Sequence, residues 1–398
     1  MIVTIEPGIL SGCIPRPPSS KSHVHRLLIA AALCEEATKI YFNRENEDIL
    51  ATVRCLESCG VMMEKQKEMF RIQGPMRVPD IELDCGESGS TLRFLLPLCA
   101  CMNGESRLTG KGRLPTRPNA PLLYALREYG AVIDGDFLPL IVHGGLQAGT
   151  FALPGDVSSQ YFTGLLFALP LLDGNSTLIY SSPLESRPYV DLTLSVLRQF
   201  GIRIEEIENG WRVPGNQTYA SPGEVYAEAD WSAAAFWLAA DALGSNVTVS
   251  GLNDDSCQGD KAIEKLLTQI GGEIDVSQTP DLMPVLSAAA AASPGKTTRI
   301  AGAARLRLKE SDRLSAMAET IHALGGNVEE LPDGLIIHGT RLKGGTVDGQ
   351  NDHRVVMSAA IAATFCEEPV TILGAEAVNK SYPDFWEDFN RLGGKLHV

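Results

Sequence analysis

With 398 residues, 44% of them hydrophobic and 21% charged, the chain can fill two or three globular domains, which excludes a disulfide-stapled miniprotein and a disordered tail. Lys and Arg number 34 against 49 Asp and Glu, and the net charge of −15 has the wrong sign for wrapping nucleic acid through an overall field. An anionic ligand must therefore be held by a local cluster of cations.

The first predicted element is a strand over Met1–Ile5, which lacks the basic-then-apolar succession of a signal peptide. Ser20-Lys21-Ser22 then precedes an apolar helix containing Leu27–Leu33, with Arg26 five positions beyond the Lys. Cations and hydroxyls at a helix start suit a phosphate, but Gly-x-x-x-x-Gly-Lys-Ser/Thr is absent, which disfavours a nucleoside triphosphate. Leu56…Cys59-Gly60 reads as a helix end; Cys55/Cys59 and Cys99/Cys101 are the only close pairs among nine Cys, and neither has Cys-x-x-Cys spacing. The odd, scattered set fits a reducing cytoplasm. Ser88-Gly89-Ser90 opens the apolar run Leu92–Cys101, with Arg93 one turn in, and Leu114-Pro115-Thr116-Arg117-Pro118 is a rigid loop that places a guanidinium. Leu126…Tyr129-Gly130 ends the next helix, and Val132-Ile133-Asp134 alternates as a strand does.

Ser158-Ser159-Gln160 precedes Phe162–Leu169, and even the longer run Phe162–Leu172 is well short of the roughly 18 to 20 apolar residues that span a bilayer. Leu197…Phe200-Gly201 ends another helix, and Ile202-Arg203-Ile204 suits a strand. A stretch with Pro and Gly, Pro214–Glu228, leads to Asp230-Trp231-Ser232 and Ala233–Ala240. After Leu267…Ile270-Gly271 comes Asp281 before Val285–Ala292, as a simple cap or as a carboxylate beside an apolar run. Arg305–Arg313 reads as an alternating strand running into a helix with Leu314, Met317, Ala318 and Ile321 on one face, its charges offering anion-binding cations beside a carboxylate for proton transfer. Ile321…Leu324-Gly325, Asp352-His353-Arg354 before Val355–Ala363, and Phe389…Leu392-Gly393 complete the series.

The six helix ends share one signature: apolar, two variable positions, apolar or Cys, then Gly, at steps of 70, 71, 70, 54 and 68 residues. Each reads as a last helical turn with Gly in the left-handed C′ position, hence as a repeated α/β unit. Between them lie helices apolar nearly all round, which must be buried, with polar N-termini that emerge. Several such termini aimed at one cleft make an anion site, and capping alone does not require Lys21, Arg26, Arg93 or Arg354 beside them. Six units exceed one core, so two domains of three are expected: residues 20–228, and 1–19 plus 229–398, with crossovers near 20 and 228.

Pro18-Ser19-Ser20-Lys21-Ser22…Arg26, Glu87–Arg93, Arg117-Pro118, Ser158-Ser159-Gln160, Ser186-Arg187-Pro188-Tyr189, Lys309–Arg313, Asp352-His353-Arg354 and Lys380-Ser381-Tyr382-Pro383-Asp384 together resemble the motif series of the 5-enolpyruvylshikimate-3-phosphate synthase family, over residues 18 to 384. The resemblance implies the α/β enolpyruvyl transferase fold, two domains of three βαβαββ units closing over ligand. It implies transfer of the enolpyruvyl group of phosphoenolpyruvate to the 5-hydroxyl of shikimate 3-phosphate, with no metal or organic cofactor, in a cytoplasmic monomer without nucleic-acid or membrane partners. By position it assigns Asp281 as base for the hydroxyl, Glu310 as proton donor to C3, and Lys21 to the catalytic set. For phosphoenolpyruvate it implies Lys21, Gly89, Arg117, Gln160, Arg313, Arg354 and Lys380; for shikimate 3-phosphate, Lys21, Ser22, Arg26, Ser158, Ser159, Gln160, Ser186, Tyr189, Asp281 and Lys309. Gly89 keeps the small side chain that in this family leaves room for glyphosate. Ser90 stands where Thr is usual, Arg305 where several members have Asn, and Glu87 where Asn is frequent. The sister enzyme acting on UDP-N-acetylglucosamine typically has an early Lys-Asn pair and a loop Cys, whereas this chain has Lys21-Ser22 and no Cys in Lys111–Pro118. A noncatalytic anion-binding repeat protein would keep the basic termini but need neither Asp281 nor Glu310.

Overall fold

The computed structural model describes residues 1–79 and 81–398. It divides into two compact units: Lys21–Ala227, and Met1–Ser20 with Glu228–Val398. Each has its own apolar core.

One repeat shows the construction. Thr150–Leu153 lies parallel to Ser176–Tyr180, which pairs antiparallel with Gly210–Val213, itself antiparallel to Glu205–Ile207. Along the chain the order is strand, helix Ser159–Ala168, strand, helix Arg187–Gln199, then the two hairpin strands. The parallel pair needs the long helical crossover, whereas the antiparallel pair needs only a tight turn. Leu83–Asp84 begins a second such sheet and Glu273–Asp275 a third. Two further sheets are closed by distant segments. Thr38–Tyr41 takes its parallel partner from Glu224–Tyr226, and Ile2–Glu6 lies between Val370–Leu373 and Lys395–His397.

The remaining sheet has two strands, Ser11–Ile14 parallel to Asn246–Val249. This accounts for the short step of 54 residues. After Gly60, Gly130 and Gly201 the chain builds a hairpin before the next unit, but after Gly271 it enters Glu273–Asp275, the first strand of the following sheet, directly. All six signature glycines have positive φ, from 76° to 102°, the conformation that stops a helix at least cost when the residue is Gly.

Two local expectations are corrected. Ile202–Ile204 is not a strand; pairing starts at Glu205, and the Gln217 side chain instead accepts from the Arg203 N–H and donates to its carbonyl. Residues 305–308 are likewise not a strand but part of a 3₁₀ turn, Ala304–Leu308, and the strand lies upstream at Thr297–Ala301. Alternation there reflects a buried Leu306 and an exposed Leu308 on a turn, not the two faces of a sheet.

Two of the apolar helices are buried along their length except at their starts. In Lys21–Ala32 only Lys21 and Ser22 escape full burial, and in Ser159–Ala168 only Gln160 does. Gly89–Cys101 packs closely on Ser159–Ala168 because Gly164 has no side chain: a Cβ there would stand 2.1 Å from the Arg93 carbonyl oxygen. No helix among the described residues is long and apolar enough to cross a membrane.

Candidate active site

Within Lys21–Ala227, helix starts carry the polar groups. Ser88 and Ser158 are true N-caps: the Ser88 hydroxyl accepts from the Thr91 N–H and the Ser158 hydroxyl from the Gln160 N–H. Gly89 lies against Arg117, and a Cβ on it would come 2.8 Å from Arg117 Nη1, so the missing side chain is what lets the guanidinium cover the helix start. Arg93 turns inward, donating to Asn119 Oδ1 (3.0 Å), Gln160 Oε1 (2.7 Å) and the Pro118 carbonyl (3.0 Å). Gln160 is thereby fixed, since its Nε2 also donates to Ser90 Oγ at 3.0 Å. Glu87 packs over Gly112, where a Cβ would meet its carboxyl carbon at 2.5 Å. The departure at Glu87 therefore sits on the loop that carries Arg117.

Lys21 donates to Asp48 Oδ2 at 2.8 Å. One turn further along both helices, His25 Nδ1 bonds the Thr52 hydroxyl (2.8 Å), which bonds Thr91 Oγ1 (2.7 Å), which donates to Ser88 Oγ (2.8 Å). This buried chain joins the helix of Lys21 to the cap before Gly89. Burial, with Lys21 and Arg26 nearby, keeps His25 well below the usual histidine range and so neutral. Arg26 is buried and donates to the Ser22 carbonyl, Thr163, Thr193 and the Tyr189 carbonyl. It thus fixes Ser22 and Tyr189 through their main chains. Ser186, at φ 53°, holds a left-handed conformation that costs a non-glycine residue energy.

In the other unit the charges are interlocked. Asp281 lies in the 3₁₀ turn Pro280–Leu282, and its carboxylate meets two guanidiniums instead of capping a helix: Oδ1 accepts from Arg313 Nη1 and Oδ2 from Arg354 Nη2, both at 2.9 Å. Lys309 Nζ stands 4.0 Å from Oδ1. Arg313 also donates through Nη2 to Glu310 (3.0 Å) and through Nε to Asp352 (2.8 Å). Asp352 is the N-cap of His353–Ala363, accepting from the Arg354 N–H, and it accepts from Ser311. Lys380 donates to the Asn351 carbonyl at 2.7 Å.

The electrostatics follow from these contacts. Burial raises the Asp281 carboxyl, but Arg354, Lys309 and Arg313 outweigh it and hold the group well below the usual carboxylate range. Asp352, buried against Arg313, is held at about 2, and Arg313 is pushed further up by Asp352, Glu310 and Asp281 against the cost of burial. Desolvation brings Lys309 down to about 8 although Asp281 and Glu310 favour its charge. Burial and the neighbouring Asp281 raise Asp260, in the turn Gly259–Ala262, to about 6.

The expected site residues thus fall into two groups. Lys21, Ser22, Arg26, Gly89, Arg117, Ser158, Ser159, Gln160, Ser186 and Tyr189 belong to Lys21–Ala227, whereas Asp281, Lys309, Glu310, Arg313, Arg354 and Lys380 belong to the other unit. Sequence reasoning did not single out Asp48, Asn119 or Asp260. Asp48 reads as an ordinary acid in a helix first turn, and nothing local marks the other two. Arg305, outside the expected set, is buried and donates to the Ser277 carbonyl at 2.6 Å.

Repeated small α/β sheets in two units, with basic helix starts, define the enolpyruvyl transferase fold. An enolpyruvyl transferase, NikO from Streptomyces tendae, superposes with a TM-score of 0.80 over 100% of this chain and 98% of that one, at 19% identity. The EPSP synthase of Acinetobacter baumannii superposes with a TM-score of 0.83 over the whole of both chains, at 27% identity. The family model for EPSP synthase (3-phosphoshikimate 1-carboxyvinyltransferase) matches residues 6–281 and 271–389. The 3-phosphoshikimate 1-carboxyvinyltransferase of Clostridium kluyveri is 43% identical over 99% of this chain and 98% of its own length, and that of Clostridioides difficile is 39% identical over 98% and 97%. The chain belongs to the EPSP synthase family. Its reaction is enolpyruvyl transfer from phosphoenolpyruvate to shikimate 3-phosphate, a step of the shikimate pathway.

Proposed function

We propose that the chain performs this transfer at the 5-hydroxyl, by addition and then elimination. The hydroxyl oxygen bonds C2 of phosphoenolpyruvate as C3 gains a proton; the tetrahedral intermediate then expels phosphate as C3 loses a proton. Asp281 takes the hydroxyl proton, and Glu310 delivers and recovers the proton at C3. The observation that carries this reading is that both carboxylates bond one guanidinium, Arg313, at 2.9 and 3.0 Å. Base and acid are thereby held beside a cation suited to the donor's anionic groups. The family pattern supports assigning Lys21, Gly89, Arg117, Arg313 and Arg354 to the anionic groups of phosphoenolpyruvate, and Ser22, Ser158, Ser186 and Lys309 to shikimate 3-phosphate. No metal or organic cofactor enters the scheme.

Phosphate release on mixing both substrates, and not with either alone, is the expected result; release with UDP-N-acetylglucosamine as acceptor would replace this reading by that of the sister enzyme. Glyphosate should compete with phosphoenolpyruvate, since the missing Gly89 side chain lets Arg117 sit over the helix start as a receptor for either anion, and full turnover at saturating glyphosate would count against that placement. The protein is read as a cytoplasmic monomer acting on small molecules alone.

A further inference from the structure

Arg313 and Arg354 carry two duties that conflict. In the proposed function, on which this inference rests, they hold the anionic groups of phosphoenolpyruvate. In the structure each is bonded at 2.9 Å to an oxygen of Asp281, the group that must accept the hydroxyl proton. Neither guanidinium can easily follow that carboxylate. Arg313, 1% exposed, is anchored from behind by Asp352, and Arg354 is tied to the same turn by its Nη1 bond to the Asp281 carbonyl, at 3.2 Å. An incoming anion therefore meets fixed guanidinium edges already taken by a carboxylate.

We infer that Asp281 is a built-in competitor of phosphoenolpyruvate: the substrate's anionic groups exchange with the Asp281 carboxylate on Arg313 and Arg354, and that exchange releases Asp281 as the base. A carboxylate doubly bonded to guanidiniums is a poor proton acceptor, as its depressed pKa reflects, and losing those bonds restores its basicity. The site is then protected from idle chemistry, because the base becomes competent only once the donor has taken its cations.

The test separates binding from turnover. Calorimetric titration of phosphoenolpyruvate into the full-length Asp281→Asn variant should give an affinity about tenfold tighter than in the unaltered protein, the scale of a typical coupling between two ligands of one site, while product formation falls. Equal or weaker affinity in the folded variant overturns the inference. A crystal of the unaltered protein with phosphoenolpyruvate gives an independent reading: both 2.9 Å bonds should open beyond hydrogen-bonding range, and both remaining intact would also overturn it. Absence of product from the unaltered protein with both substrates would sink the proposed function instead, a result distinct from either of these.

Discussion

The buried arginines of the two units are held by different kinds of partner. In Lys21–Ala227, Arg26 and Arg93 donate to hydroxyls, two side-chain amides and main-chain carbonyls, while Lys21 pairs with the Asp48 carboxylate. In the other unit Arg313 bonds three carboxylates and Arg354 shares one of them. The first arrangement orients its guanidiniums largely through bonds to uncharged groups. The second is a balanced network in which any bound anion must rearrange existing pairs, and it also contains the groups able to move protons. On the proposed reading, recognition and acid-base chemistry draw on different local physics in one protein.

This contrast can be broken at several points. Asp281→Ala should lower kcat by roughly 10²- to 10⁴-fold, as loss of a general base does, with a much smaller change in melting temperature; unchanged turnover would remove Asp281 from that role. Glu310→Gln should cost roughly 10²-fold in kcat and slow exchange of solvent deuterium into C3 of phosphoenolpyruvate. In the receptor unit, Gly89→Ala places a methyl group 2.8 Å from Arg117 Nη1, so KM for phosphoenolpyruvate should rise by about tenfold with kcat nearly kept, the pattern of lost ground-state binding.

Lys309 supplies the pH-dependent comparison. Its pKa is brought down to about 8, so it is a cation below that pH and neutral above it. KM for shikimate 3-phosphate should climb as pH rises through about 8, and Lys309→Arg, charged throughout, should flatten the climb. The smallest effect is expected on stability. Thr52→Val leaves the buried His25 Nδ1 without its bond at 2.8 Å, at a cost of about 1 to 3 kcal/mol, measurable by denaturant unfolding.

The repeat was legible because a helix stop needs a left-handed residue, and Gly60, Gly130, Gly201, Gly271, Gly325 and Gly393 announce it in one letter. Strands were less so. Ile202–Ile204 and Arg305–Leu308 alternate convincingly, but alternation does not say whether a neighbouring strand is present to accept the bonds. At the site, sequence could place cations beside helix starts because that juxtaposition is local. It could not show that Arg26 faces inward to Thr163 and Thr193, more than 130 residues away, or that Asp281 meets Arg354, 73 residues on. Those contacts are made by packing, which leaves no short-range trace.

The sheet that places Ile2–Glu6 between Val370–Leu373 and Lys395–His397 has a temporal corollary. As the nascent polypeptide emerges from the ribosome, Lys21–Ala227 has all its strands once Tyr226 is out, and it can mature while translation continues. Ile2–Glu6 must instead remain unzipped until Val370–Leu373 and Lys395–His397 have been made, so a chain halted before them would strand that early segment as well.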